Sequence, residues 1–135
     1  MQPVADSLFR LVCTPRNLGA APEGWVGAML EEGEIALLVD DGGLDAISAV
    51  AHALDLDTVA LLRPEGSSDD QEDTVMRHAA AKPLVWVAPA FGERAQRWAR
   101  DRGPMTLLIE TGEALSEDER RRVERFVVIL GRQDE

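Results

Sequence analysis

A chain of 135 residues, 45% apolar and 29% charged, suits one soluble domain (residues 1–135) that buries its own core. Its net charge of −11 argues against a nucleic-acid partner, and its apolar runs are too short to span a bilayer. One cysteine, Cys13, makes no intramolecular disulfide and no zinc site by itself, and the segment MQPVADSLFR lacks secretory features, so a cytoplasmic protein without a cofactor is expected.

Ser7–Thr14 reads as the first strand, a near-continuous apolar run of the kind that is buried on both faces. Pro15 ends it. After the loop, Pro22 suits a helix's first turn, and Trp25, Val26, Met29 and Leu30 recur at helical spacing up to Gly33, which reads as the C-terminal cap. Glu34–Asp40 is the second strand. The turn Asp41-Gly42-Gly43 leads to a helix with Leu44, Ile47, Val50, Ala51 and Leu54 on one face. Asp57–Arg63 is the third strand.

The polar stretch Glu65–Asp73 opens a helix capped by Ser67 or Ser68, with Val75, Met76, Ala79 and Ala80 as a thin apolar stripe. Pro83 stops it, and Leu84–Val87 is the fourth strand. Phe91, Ala95, Trp98 and Ala99 mark an amphipathic helix ending at Gly103, and Met105–Glu110 is the fifth strand. Ser116 and Glu119 have the spacing of a capping box. The helix they start is expected to run through Leu130, although β-branched Phe126–Leu130 also suits a sixth strand.

Strands alternating with helices predict an α/β fold of three layers. Its sheet is expected to be mostly parallel and five-stranded, in a flavodoxin-like or Rossmann-like doubly wound arrangement. With the flavodoxin order 2-1-3-4-5, a ligand would sit beyond strands one and three. That rule selects Thr14, Arg16, Asn17, Gly66 and Ser67, with Asp41 and Gly42 beside them, as candidate ligand-binding residues.

None of these completes a catalytic motif. Cys13 lacks the arginine six places on that a phosphatase loop requires, since position 19 is glycine, and free cysteines are commonly small buried residues. Asp40-Asp41 follows the second strand, whereas the acidic pair of phosphoacceptor receiver domains follows the first. Asp40, Asp41, Glu65 and Asp69 carry the oxygens a magnesium ion takes, but such residues usually serve turns and caps. His52 and His78 fall away from the expected ligand rim.

The segment Leu84–Leu115 resembles the late strand–helix–strand of restriction-endonuclease-like domains, and Gly42-Gly43-Leu44-Asp45 faintly resembles their metal aspartate. Val59–Arg63, which stands where their Glu-x-Lys pair belongs, has neither an acid nor a lysine. The resemblance therefore implies a fold without that chemistry.

Charge is uneven along the chain. Residues 1–90 hold 5 basic and 15 acidic residues, whereas residues 91–135 hold 9 and 10. Eight arginines, among them Arg100, Arg121, Arg122 and Arg125, fall on the last two helices. The expectation is a non-enzymatic interaction or regulatory module that meets a protein partner, or a second copy, through these helices. The alternative is a small-molecule or phosphate-binding enzyme with its site after strands one and three.

Overall fold

The computed structural model describes residues 8–19, 22, 24–30, 33–38, 45, 48–49, 52, 60–62, 68–79 and 82–134. Within them lie strands β1 (Phe9–Cys13), β2 (Gly33–Leu38), β3 (Ala60–Leu62), β4 (Leu84–Ala88) and β5 (Thr106–Glu110). The helices are α1 (Trp25–Leu30), α2 (Ser68–Ala79), α3 (Glu93–Arg102) and α4 (Glu117–Asp134), joined by 3-10 turns at Pro15–Leu18 and Gly103–Met105. Of the helix expected between the second and third strands, the described residues 45, 48, 49 and 52 are helical.

Every ladder is parallel, and the strand order is β3-β2-β1-β4-β5. The protein is therefore α/β with a parallel sheet. The order 2-1-3-4-5 is not found, because β3 pairs with β2 and lies beyond it. From β1 the chain steps outward twice and only then crosses back, so the reversal falls between β1 and β4.

Alternation along the strands sorts the core into two faces. Phe9, Leu11, Ile35, Leu37, Val85, Val87 and Ile109 point one way and pack with Val26 of α1 and Val123, Val127 and Leu130 of α4. Val12, Ala36, Leu84 and Trp86 point the other way, against Val75 and Ala79 of α2 and Ala95 of α3. Trp86 centres that side, edge-on to Phe91 at 5.0 Å and to Trp98 at 6.2 Å between ring centroids.

α4 is helical through residues 126–130, so no sixth strand forms there. Its start is the expected capping box. The Ser116 N–H donates to Glu119 Oε1 at 2.8 Å, and the Glu119 N–H donates to Ser116 Oγ at 3.1 Å. Three buried residues at positions 123, 127 and 130 give the helix one inward stripe, which a strand from the same residues would split between two faces.

Gly33 does not cap α1. It is the first residue of β2, opposite Phe9, and a Cβ there would lie 2.5 Å from the Phe9 ring. The missing side chain is what lets this ring lie buried over the strand. Gly33→Ala is expected to lower stability by about 1–3 kcal/mol, the usual cost of overpacking. Urea unfolding checks it, and Gly27→Ala, inside α1 where a Cβ meets nothing within 4 Å, is the control expected to hold or raise stability by up to about 1 kcal/mol.

Candidate functional site

The rim to consider lies at the carboxyl ends of β1 and β4, where the strand order reverses. β2 lies between β1 and β3, so the carboxyl ends of the first and third strands are not neighbours in the sheet. Gly66, Ser67, Asp41 and Gly42 lie outside the described residues, as do Asp40 and Glu65.

The loop after β1 is a 3-10 turn held by Asn17, whose side chain is almost fully buried. Asn17 Oδ1 accepts from the Thr14 N–H at 2.9 Å and from Thr14 Oγ at 3.0 Å. Its Nδ2 donates to the Glu113 carbonyl at 2.7 Å, and its own carbonyl accepts from the Leu115 N–H at 2.9 Å. Thr14 and Asn17, read from the sequence as ligand donors, thus fasten the β1 loop to the β5–α4 loop. Arg16 is exposed. Cys13 is fully buried, and burial pushes its thiol up to about 12.

On the β4 side, Phe91 seats on Trp86 and the chain enters α3 at Gly92. Glu72 of α2, only 8% exposed, accepts the Gly92 N–H through Oε2 at 2.7 Å. Its Oε1 has no hydrogen-bond partner among the described residues. A Cβ at position 92 would lie 3.1 Å from Oε1, so the glycine permits the close approach. A helix N-terminus at such a rim is where folds of this kind often hold an anion. Here the chain's own carboxylate fills that role. Sequence reasoning placed Glu72 within an acidic helix start and did not see this contact, which joins residues 20 apart.

Elsewhere the polar groups hold elements together. Arg10 Nε donates to Glu34 Oε2 at 3.0 Å, and its Nη1 donates to the His78 carbonyl at the end of α2. Burial, and then the Arg10 charge, hold the His78 imidazole below its ordinary pKa, against the opposite pull of Glu34. An open groove of about 450 Å³ between α2 and α3 is lined by Asp73, Met76, Arg77 and Trp98. Asp73 is taken by Arg94 at 2.7 Å, and the Arg102 guanidinium stacks 4.4 Å from the centroid of the Trp98 ring. Among the described residues no three His, Cys, Asp or Glu side chains are grouped to hold a metal ion. No described helix is long and apolar enough to cross a membrane.

No family model matches the chain, and no curated protein or solved structure matches it either.

Two expectations follow from the rim. Cys13 should resist thiol reagents in the native protein up to alkaline pH and react fully once the chain is unfolded, which a thiol titration in buffer and in guanidinium reads directly. Asn17→Ala strands the Glu113 carbonyl and the Thr14 N–H. It should cost about 2 kcal/mol in a denaturant melt, the scale of unsatisfied buried groups.

Proposed function

We propose that this chain is a non-enzymatic interaction or regulatory module of the cytoplasm, built on a Rossmann-like, doubly wound, five-stranded scaffold. The observation that carries this reading is an apolar pair on the outside of α4. Val128 is 51% exposed and Ile129 43%, side by side, on a helix whose opposite stripe is buried in the core. Contiguous exposed apolar surface marks contact sites, whereas scattered single apolar residues do not. Arg125 lies one turn and Arg121 and Arg122 two turns before the pair, all three exposed, and arginine is enriched where proteins meet.

The rim supports the same reading. In place of donors aimed into open space, the reversal between β1 and β4 presents a loop knotted by Asn17 and a helix end closed by Glu72. The acidic residues 1–90 and the Arg-rich helices also give the surface two characters, which favours partners chosen by charge.

The test is a photo-crosslinking residue placed at Ile129 in the producing cell, with Glu93 on α3 as an exposed control. A discrete adduct at position 129 and none at 93 supports the reading. Absence of any adduct at 129 and at 128 overturns it. With the crosslinking residue moved to exposed Arg125, Val128→Ser with Ile129→Ser should remove the adducts while leaving stability within about 0.5 kcal/mol, as surface changes do, so the loss reports lost contact and not unfolding.

A further inference from the structure

We propose that the start of α3 binds inorganic phosphate, selected by the proton that this anion carries at neutral pH. The inference concerns the rim and stands apart from the α4 surface described above.

Two observations meet there. The first is the helix end itself. α3 is ten residues long and has no side-chain cap, because its N-cap residue is Gly92. A helix leaves the amides of its first turn without intrahelical acceptors. Glu93, Arg94 and Ala95 therefore present N–H groups, and with them the positive end of the helix dipole, to an acceptor from outside the helix. This end follows β4, at the reversal of strand order where sheets of this kind hold their ligands.

The second is Glu72, which is only 8% exposed and whose two oxygens differ. Oε2 accepts the Gly92 N–H at 2.7 Å, whereas Oε1 is buried without a partner among the described residues. A buried carboxylate oxygen without a donor is costly, so a group that brings one is favoured. Oε1 is also aimed at the helix start. The place a Cβ would take on Gly92 lies 3.1 Å from Oε1 and 3.4 Å from Oε2, and Gly92 itself is exposed. The glycine thus leaves a small recess at the rim with the carboxylate as its floor.

The two features make opposite demands on a ligand. The amides need acceptor oxygens, while Oε1 needs a donor and repels bare negative charge. Glu72 therefore closes this end to sulfate and to carboxylates, which carry no proton at neutral pH. Inorganic phosphate meets both demands, since it keeps a P–OH group throughout the neutral range. Its hydroxyl donates to Oε1, and its other oxygens accept from the amides. A phosphate monoester loses its second proton near pH 6, so at about pH 7.5 it lacks the donor. The site is accordingly one for the free ion and not for a phosphorylated side chain. Arg94 is paired with Asp73 at 2.7 Å, and exposed Glu93 weakens every anion alike. The choice among anions is left to Glu72.

Calorimetric titration of the full chain at about pH 7.5 and constant ionic strength tests this, with inorganic phosphate, sulfate and methyl phosphate as probes. One phosphate should bind per chain, about tenfold or more tighter than either of the others, the worth of one charge-assisted hydrogen bond. Glu72→Gln keeps an oxygen for the Gly92 N–H and turns an NH₂ donor into the recess. Phosphate should then lose its advantage, and sulfate should bind at least as well. Gly92→Ala fills the recess at a φ of −75°, which alanine adopts freely, and should weaken phosphate about tenfold. Urea melts check that both variants fold. Amide NMR of the unaltered chain needs no variant, and there phosphate should shift the signals of Gly92, Glu93, Arg94 and Ala95 first. Absence of phosphate binding at millimolar concentration overturns the proposal, as does equal binding of sulfate. A preference that survives Glu72→Gln, or shifts centred elsewhere, overturns it too. None of these outcomes bears on the crosslink at Ile129, so the interaction reading stands or falls separately.

Discussion

Burial of β1 from both sides is the constraint on which the rest of the structure depends. Its five residues pair with β2 on one edge and Arg10–Val12 pair with β4 on the other, with Phe9, Leu11 and Cys13 facing α1 and α4 and Val12 facing α2. A strand so placed has no solvent side, and each polar atom near it must find a partner within the protein. Arg10, the one charged residue of the strand, does so through Glu34 and the end of α2. The Phe9 ring is accommodated because β2 begins at a residue with no side chain.

The same need for partners shapes the rim above β1. Asn17 is buried because its side chain replaces the solvent of two backbone groups, the Thr14 N–H and the Glu113 carbonyl, and of the Thr14 hydroxyl, in two loops that are distant in sequence. Glu72 does for the start of α3 what a bound anion does elsewhere, at the cost of one carboxylate oxygen without a partner among the described residues. A rim stabilised from within in this way holds its loops rigidly to the sheet. Adaptable surface lies instead on the outer helices and on the edge of β5, where exposed arginines, acids and two branched apolar side chains coexist.

That outer edge shows how position in the sheet converts ordinary residues into a surface. Thr106–Glu110 holds the same kind of apolar run as Leu84–Ala88, yet among the described residues the latter is closed on both sides and the former on one. The long contact from Arg122 to the Leu108 carbonyl is a weak cover for an edge, and it leaves the neighbouring Ile129 in solvent.

Element identity was legible in the sequence because it depends on local spacing. The apolar runs at Phe9–Cys13, Leu84–Ala88 and Thr106–Glu110 are strands, the Ser116–Glu119 box starts a helix, and Gly103 ends one with a positive φ of 64°. What each element meets was not legible there. Gly33 sits where a helix cap would, and only its pairing with Phe9 makes it a strand residue. Asn17 has the composition of a ligand donor, and only the Glu113 carbonyl, 96 residues away, makes it a fastener. Strand order belongs to the same class, since β3 carries no residue that distinguishes β2 from β1 as its neighbour. Periodicity along one segment encodes which face is buried. The choice of neighbour is made by contacts between segments, and those exist only when the chain is folded.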